Sequence, residues 1–179
     1  NNSQAAIQQL GDGQTLTETF TVKAADGTTS SVTVTINGTN DSAVISSSGT
    51  TGSVTEDAAV SGGQISTGGT LSVSDTDAGQ AAFLAQPGTN GAYGTFTLAA
   101  DGTWTYTANN SQAAIQQLGD GQTLTETFTV KAADGTTSSV TVTINGTNDV
   151  AVISSSGTTG SVTEDASVSA GQISTGGTL

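Results

Sequence analysis

Several side-chain types are missing from this chain of 179 residues. It has no cysteine, histidine or methionine, and its two basic side chains are Lys23 and Lys131. Without cysteine it forms no disulfide bond and supports no thiol chemistry. Its 15 acidic residues give a formal net charge of −13 at pH 7, which repels nucleic-acid phosphates and anionic membrane surfaces. We therefore expect no nucleic-acid partner, and a stability that depends on packed cores and bound metal.

Long apolar runs are also missing. No run approaches the ~20 residues that a transmembrane helix needs. Residues 1–4, NNSQ, do not resemble the start of a signal peptide. We expect no membrane insertion of this chain.

The chain contains an internal repeat. Residues 1–71 recur as residues 109–179, a period of 108 residues. The two copies differ at Ser42/Val150, Ala59/Ser167 and Gly62/Ala170. This period is that of a whole small domain and exceeds the roughly 20 to 50 residues of solenoid repeats. It predicts the last part of one repeat at residues 1–41, a complete repeat at 42–149 and the first part of a third at 150–179.

Apolar and polar residues alternate with the period of β-strands, and helical periodicity is nearly absent. The threonines and serines between the apolar positions are typical of the solvated face of antiparallel sheets. The predicted strands of one repeat are residues 44–45 with 53–55, 69–73, 82–84, 95–98, 104–106, 124–132 and 140–144. About seven short strands separated by turns predict an all-β, immunoglobulin-like sandwich.

Turn and core positions follow from the same alternation. Asp101-Gly102 supplies the positive φ of a tight hairpin turn, and residues 133–135 join the last two strands. The inward-facing residues of those two strands are Phe128, Val130, Ala132, Val140, Val142 and Ile144. One short helical turn is predicted at residues 111–118, with Ala114, Ile115 and Leu118 facing inward.

Acidic and amide side chains gather in loops and at the junctions between repeats. One repeat carries Glu56, Asp57, Asp75, Asp77, Asp101, Asp120, Asp134, Asn148 and Asp149. Calcium takes about six to eight oxygen ligands, and loops with alternating acids supply them. Residues 75–79, DTDAG, have that form. The sequence therefore predicts Ca²⁺ as a bound cofactor.

The junction between repeats is residues 145–149, NGTND, which recurs at residues 37–41. It offers too few apolar side chains to fix two domains against each other. Without metal its carboxylates would repel one another, whereas a shared cation would bridge the neighbours. Our hypothesis is that this cation converts a flexible string of domains into a rod.

Separated motifs resemble two related kinds of repeat. Residues 127–135, TFTVKAADG, the strand that ends at Ile144 and the closing Asn148-Asp149 resemble the last strands and calcium linker of cadherin repeats. Residues 52–57 (GSVTED), 69–77 (GTLSVSDTD), 93–96 (YGTF), 104–106 (WTY) and 145–149 resemble the VCBS-type repeat of giant RTX bacterial adhesins and biofilm-associated surface proteins. This second resemblance covers the whole chain.

The resemblance implies a fold, a location and a role. It implies a cadherin-like sandwich, type I secretion, and an extracellular position on the bacterial cell surface. The role it implies is that of a calcium-stiffened extender, or spacer, which projects a distal ligand-binding region away from the cell.

The cadherin resemblance also implies metal ligands. The first junction would use Asp12, Asn40, Asp41, Asp75, Asp77 and Asp134. The second would use Glu56, Asp120, Asn148 and Asp149. Asp57, next to Glu56, is a further predicted ligand. The linker lacks the proline and most of the additional acids of cadherins, which leaves the number of ions open.

Several of these residues also have a purely structural explanation. Asp and Asn are common in turns, and Asp101 is explained by its hairpin. Glu126 has inward parity, which places it at the rim of the core unless it is paired. The alternation of apolar and polar residues places Trp104 and Tyr106 on the apolar face of their strand. This favours a core position over a sugar-stacking platform. The threonine rows could face ice or a glycan, but threonine is also what a solvated β face prefers.

An enzyme is the function that the composition favours least. General acid–base chemistry would rest on carboxylates alone, without histidine, cysteine or arginine to tune them. A glycosidase needs only two carboxylates about 5 to 9.5 Å apart in a sugar cleft. A uniform repeat with 4% aromatic residues is poorly suited to form such a cleft.

The alternative to a spacer is an adhesive module that itself binds a glycan, a protein or an ice surface. It predicts a saturable affinity in an isolated repeat. A separate expectation concerns the partial repeats, because a lone hairpin such as residues 16–36 cannot bury a core by itself. Besides neighbouring repeats of its own chain, we expect it to pack on a second chain, against that chain's residues 150–179.

Overall fold

The computed structural model describes residues 1–153, 157, 159–166 and 168–178. Contacts divide the chain into two compact units, Asn1–Thr147 and Asn148–Leu179. The first unit contains residues 1–41 together with nearly all of the repeat predicted at 42–149. The repeat boundaries at residues 41 and 149 stay predictions.

The complete repeat is a β-sandwich, so the predicted all-β immunoglobulin-like fold is confirmed. Its strands are β3 (Val44–Ile45), β4 (Thr51–Thr55), β5 (Gln64–Thr70), β6 (Val73–Ser74), β7 (Gln86–Asn90), β8 (Gly94–Leu98), β9 (Thr103–Asn109), β10 (Thr123–Lys131) and β11 (Thr137–Asn145). A four-residue helix, α2 (Ala113–Gln116), connects β9 to β10. One sheet has the order β10-β11-β4, the other has the order β5-β9-β8-β7, and β3 pairs with β6.

The core lies between the two larger sheets and follows the predicted alternation. Phe128, Val130, Ala132, Val140, Val142 and Ile144 are all buried, as predicted. Phe96 stacks on Phe128 with ring centroids 4.8 Å apart and on Trp104 at 5.8 Å. Trp104 is fully buried, and its indole N–H donates to the Gly49 carbonyl at 2.8 Å. Trp104 and Tyr106 are therefore core residues, not an exposed platform.

The Asp-Gly turns form as predicted. Asp101 accepts the N–H of Thr103 at 2.9 Å, and Gly102 has a φ of 89°. That backbone hydrogen bond lowers the pKa of Asp101. Gly135 has a φ of 97° in the turn between β10 and β11. A side chain at either glycine would be strained in this conformation.

The sequence prediction was wrong at four places in the complete repeat. Residues 69–73 do not form one strand, because β5 ends at Thr70 and β6 begins at Val73. Residues 82–84 form no strand, because Phe83 makes only an isolated bridge to Ala132. The next strand, β7, includes Pro87-Gly88, where no strand is predicted. An irregular register between Gln86 and Thr89 on this edge strand accommodates the proline. In α2, Ile115 is buried as predicted, but Ala114 is exposed.

Glu126, predicted to lie at the rim of the core unless it is paired, is buried and paired. It is 7% exposed, and its carboxylate accepts the Tyr106 hydroxyl and, at 3.1 Å, the N–H of Tyr93. Burial, and then the hydrogen bond to Glu126, raise the pKa of Tyr106 well above 10. The pairing explains how a charged residue is tolerated at an inward position.

Replacing Tyr106 with phenylalanine should lower the free energy of unfolding by about 1–2 kcal/mol, because the Glu126 carboxylate loses a donor in a buried site. Urea unfolding followed by Trp104 fluorescence measures this loss. Because the folded-state pKa of Tyr106 is raised, its contribution is fully present below about pH 10 and falls as the pH rises further. The variant should lack this part of the alkaline decline; an unchanged decline would contradict the assignment.

Residues 1–41 form a helix and a hairpin with the same sequence as α2, β10 and β11. The elements are α1 (Ala5–Gln8), β1 (Thr15–Lys23) and β2 (Thr29–Asn37). The register of β1 on β2 equals that of β10 on β11. The surroundings differ: Phe20 is 52% exposed, whereas its counterpart Phe128 is 4% exposed. The local sequence therefore builds the hairpin, and the rest of the sandwich buries it.

The second unit, Asn148–Leu179, contains little regular structure among its described residues. It has one isolated bridge, between Ser169 and Gln172. Its large apolar side chains Val150, Val152, Ile153, Val162, Val168 and Ile173 are exposed. In the described part of the chain as a whole, no helix is long and apolar enough to cross a membrane.

Candidate metal centre

Asp77 is the centre of the contact between residues 1–41 and the complete repeat. The N–H of Asp41, in the linker, donates to Asp77 Oδ2 at 2.8 Å, and Gln80 Nε2 donates to the same oxygen at 3.3 Å. The adjacent Ala78 N–H donates to the carbonyl of Gln9, in the loop after α1, at 3.0 Å. We call the set formed by Gln9, Asp41, Asp75, Asp77 and Gln80 the Asp77 seam.

Two carboxylate oxygens in the Asp77 seam are buried without a hydrogen-bond partner among the described residues. They are Oδ1 of Asp77 and Oδ2 of Asp75. The other Asp75 oxygen, Oδ1, accepts the N–H of Asp77 at 2.8 Å, and Asp77 is only 2% exposed. A buried carboxylate oxygen without a donor is costly, and a bound cation would remove this cost. The chemistry of the two free oxygens thus fits a hard divalent cation.

Asp134 holds the linker from the other side. Its Oδ2 accepts the N–H of Ala43 at 2.9 Å and the hydroxyl of Thr136 at 2.6 Å, and its Oδ1 accepts the Thr136 N–H at 2.8 Å. The hydrogen bond from Ala43, followed by those from Thr136, lowers the pKa of Asp134. Asp134 therefore fixes residue 43 to the turn between β10 and β11 through these hydrogen bonds.

Replacing Asp134 with asparagine should make the Ala43 amide exchange its hydrogen faster, because a neutral amide oxygen is a weaker acceptor than a carboxylate. The wild-type protection should be present above about pH 4 and decline as the pH falls through the lowered pKa of Asp134. Hydrogen–deuterium exchange measures both effects. Asp26→Asn is the matched control, because Asp26 accepts the Thr28 N–H in the equivalent turn at 2.9 Å. Unchanged exchange at Ala43 in Asp134→Asn would contradict this role.

Glu56 occupies the opposite end of the complete repeat. Its backbone N–H donates to the Asn145 carbonyl at 3.0 Å, and its Oε1 accepts the N–H of Thr147 at 2.8 Å. The side chain is fully buried, and its Oε2 has no partner among the described residues. Glu56 thus also presents a free carboxylate oxygen next to a repeat junction.

Asp57, beside Glu56, is engaged by neutral donors. Asn110 Nδ2 and Gln116 Nε2 donate to its Oδ1 at 2.7 and 3.1 Å, and these two bonds lower its pKa. The residue has a φ of 57°, a left-handed conformation that aspartate adopts more readily than most side chains. Its observed contacts tie the loop after β4 to α2. A role of Asp57 in metal binding stays a prediction.

The remaining predicted ligands lie on the surface. Asp12, Asn40, Asp41, Asp120, Asn148 and Asp149 are exposed. Asn40 Nδ2 donates to the Asp41 carbonyl at 2.8 Å, and Asn148 Nδ2 donates to the Asp149 carbonyl at 3.1 Å. Asn148 and Asp149 belong to the second unit.

Acidic side chains alone do not form a metal site in the described part of the chain. No three or more of them come close enough together to hold an ion. A cation at the Asp77 seam would therefore need carbonyl, amide or water oxygens in addition to Asp75 and Asp77, which is usual for calcium. The assignment of all the predicted ligands stays a prediction.

Sequence reasoning missed Gln80 in the Asp77 seam and Gly11, which lies against it. A Cβ atom on Gly11 would lie 2.5 Å from Gln80 Nε2 and 3.3 Å from Asp77 Oδ2, so the close approach requires glycine. No local pattern marks Gly11, because the contact joins two repeats.

Residues 40–146, more than half of the chain, match the family model described as a bacterial cadherin-like domain. The chain belongs to the bacterial cadherin-like family. Domains of this family are typically non-catalytic, and cadherin-like domains generally bind Ca²⁺. The family indicates an extracellular, adhesion-type repeat of a surface protein. No protein of curated function matches the chain.

Proposed function

We propose that this bacterial cadherin-like chain is a calcium-stiffened spacer of a cell-surface adhesin. The observation that carries the proposal is a pair of buried carboxylate oxygens, on Asp75 and Asp77, that have no hydrogen-bond partner among the described residues. They lie where Asp77 already binds the linker through the N–H of Asp41. A cation bound there would act on the linker that connects residues 1–41 to the complete repeat.

In the Asp77 seam, Asp75 and Asp77 each make hydrogen bonds with one carboxylate oxygen only. Asp77 uses one oxygen to accept the N–H of Asp41 and the amide of Gln80, and it keeps the other oxygen free. Asp75 likewise uses one oxygen for the N–H of Asp77 and keeps the other free. Bound calcium would neutralise the repulsion between these two carboxylates, and the linker would then be held from both sides, by Asp77 and by Asp134.

The parent protein is proposed from the resemblance to VCBS-type repeats. In that setting the spacer is part of a giant RTX adhesin that leaves the cell by type I secretion and contributes to biofilms. Each sandwich, with strands of roughly ten residues, would add about 35–40 Å of length. The reach of the distal ligand-binding region would then scale with the number of repeats.

Pulsed electron resonance between two spin labels tests the stiffening. The chain has no cysteine, so Ser30→Cys on the hairpin and Ser139→Cys on the complete repeat accept one label each; both serines are exposed. We expect a narrow distance distribution with calcium and a broad one with a chelator. In Asp77→Asn the distribution should be broad in both conditions.

The control pair carries both labels on the complete repeat, at Thr103→Cys and Ser139→Cys. Both positions are exposed, and both lie on strands of one sandwich. Their distance distribution should not respond to calcium. A junction distribution that is equally narrow with calcium and with chelator would contradict the spacer mechanism.

An adhesive module is the second candidate function, and one surface feature favours it. A cleft of about 450 Å³ is lined by residues 89–92 and 125–129. Its acidic residue, Glu126, is already bonded to Tyr93 and Tyr106, which leaves mainly threonine and asparagine to contact a ligand. Saturable binding on a glycan array, lost on Thr127→Lys in the cleft, would establish this function.

A further inference from the structure

We propose that Asp120 is a site of spontaneous isomerisation to isoaspartate, and that this modification loosens the end of the complete repeat at Gly146. Asp120 is followed by Gly121, in the turn between α2 and β10. The inference goes beyond the proposed spacer function, because it needs no metal and assigns a covalent modification to the chain.

The reaction joins the aspartate side chain to the backbone of the next residue. The nitrogen of Gly121 forms a bond to Cγ of the protonated Asp120 carboxyl, and the amide proton and the carboxyl hydroxyl leave as one water. Water then opens the resulting succinimide ring, either at Cγ, which restores aspartate, or at the main-chain carbonyl carbon, which gives isoaspartate with no net change in mass. Glycine is the most permissive next residue, because it has no side chain to block the attack.

Three other Asp-Gly pairs of the chain are held away from this reaction by hydrogen bonds. In each pair the aspartate Oδ1 accepts the N–H two residues later, at 2.8 or 2.9 Å. In each pair the glycine N–H also donates to the carbonyl three residues earlier, at 3.0 Å. These pairs are Asp26-Gly27, Asp101-Gly102 and Asp134-Gly135. Both hydrogen bonds must break before the glycine nitrogen can attack, so these pairs should react slowly.

The pair Asp120-Gly121 has neither hydrogen bond within the part of the chain that the structure describes. Asp120 is exposed, and no described donor bonds to its carboxylate. The turn is closed instead by the N–H of Gln122, which donates to the Gly119 carbonyl at 3.0 Å, and Gly121 has a φ of 76°. A turn with a left-handed glycine at its third position does not use the N–H of that glycine. The nitrogen of Gly121 is therefore available to attack the carboxyl of Asp120.

Solvent access does not separate the two kinds of Asp-Gly pair. Asp26 and Asp101 are exposed, as Asp120 is. The copy of the proposed site one repeat earlier, Asp12-Gly13, also lacks both hydrogen bonds among the described residues. The hydrogen bonding thus predicts isoaspartate at Asp120 and Asp12, and protection at the other three pairs.

The turn that contains Asp120 also supports the backbone of the junction. The N–H of Gly146 donates to the Gln122 carbonyl at 2.9 Å, and a Cβ atom on Gly146 would lie 2.6 Å from the Gly119 carbonyl oxygen. Gly119 and Gln122 are the two ends of the turn. Isoaspartate adds one carbon to the backbone between them, so the turn no longer fits both contacts with Gly146. The modification should therefore loosen the start of the linker that follows β11.

The test is a prolonged incubation of the 179-residue chain at neutral pH in chelator, with one sample folded and a parallel sample unfolded in urea. Trypsin cleaves after Lys23 and Lys131, the two basic residues of the chain. Asp12 and Asp120 then lie on different fragments, although the sequence around them is identical. Electron-transfer fragmentation in the mass spectrometer locates and quantifies isoaspartate within each fragment.

We expect roughly tenfold more isoaspartate at Asp120 than at Asp101 in the folded chain, because two hydrogen bonds protect the second pair. In urea the two sites should react at similar rates, since the protection belongs to the fold. Asp120→Glu is the matched variant. It keeps the charge, but its longer side chain would have to close a larger and less favourable ring, so no comparable product should form at this position.

Hydrogen–deuterium exchange tests the consequence for the junction. The isoaspartate-containing fraction, separated by chromatography, should exchange the Gly146 amide roughly fivefold faster than the unmodified protein, because the hydrogen bond to Gln122 is weakened. Asp120→Glu incubated for the same time should keep the slow exchange.

Two results would overturn the proposal. The first is a folded chain in which Asp120 carries no more isoaspartate than Asp101, which would mean that the hydrogen bonds do not select the site. The second is an unchanged exchange of the Gly146 amide in the modified fraction, which would mean that the modification does not reach the junction. Chelator is present throughout, so neither result depends on the proposed calcium site.

Discussion

Replacing Phe128 with alanine should lower the free energy of unfolding by about 3–5 kcal/mol, whereas the same change at Phe20 should lower it by less than about 1 kcal/mol. The two residues have the same neighbours in sequence and the same position in a hairpin. They differ in exposure, at 4% and 52%, and Phe128 also stacks on Phe96 and contacts the ring of Tyr106. The difference between the variants therefore isolates burial.

Trp104 makes the measurement specific. It is the single tryptophan and lies in the core of the complete repeat, so its fluorescence in urea reports the unfolding of that repeat. Far-UV circular dichroism, which also reports the strands of residues 1–41, follows both variants over the same transition. Phe20→Ala should leave the midpoint close to that of the wild type. If both variants shift the midpoint equally, the hairpin of residues 1–41 is buried to the same degree as β10 and β11.

Calcium should raise the thermal midpoint of the wild-type chain, and Asp77→Asn should remove most of this increase. A ligand at 100 times its dissociation constant stabilises the folded state by about 2.7 kcal/mol, which corresponds to a shift of roughly 10 °C or more for a domain of this size. Asparagine keeps an oxygen that can accept the N–H of Asp41, but it removes the negative charge from the buried side chain. Asp77→Asn should therefore fold, and calcium should raise its thermal midpoint only slightly.

The control for this prediction is Asp101→Asn. The Asp101 side chain accepts the N–H of Thr103 in its own hairpin turn, so Asp101→Asn should leave the calcium response intact. Differential scanning fluorimetry or calorimetry with calcium and with chelator compares the three proteins. An equal calcium response in wild type and Asp77→Asn would place the ion elsewhere.

The sandwich was predictable where the sequence pattern is local. In β10 and β11 apolar residues alternate with threonine, and the turn between them contains Asp134-Gly135. The face of the sheet on which each side chain lies could therefore be predicted directly. The pattern fails where tertiary contacts determine the secondary structure. Strand β7 contains Pro87-Gly88, which locally predicts a break, and it exists because it pairs with the edge of β8.

The general location of the candidate site could be predicted from the sequence, but the hydrogen-bond partners of its acidic side chains could not. Loops rich in Asp and Asn indicate calcium chemistry. Two of them contain buried oxygens, on Asp75, Asp77 and Glu56, for which the described part of the chain supplies no partner. Which acids are engaged by neutral donors could not be predicted, because Asp57 meets Asn110 from a distant strand end and Asp134 meets the N–H of Ala43. These contacts join residues 53 and 91 positions apart.

A crystal structure of the chain grown with ample calcium tests the central claim most directly. We predict an ion with about six to eight oxygen ligands at roughly 2.3–2.6 Å, among them Oδ1 of Asp77 and Oδ2 of Asp75. If both oxygens contact only water or protein donors in such crystals, the seam does not bind calcium and the stiffening mechanism is wrong.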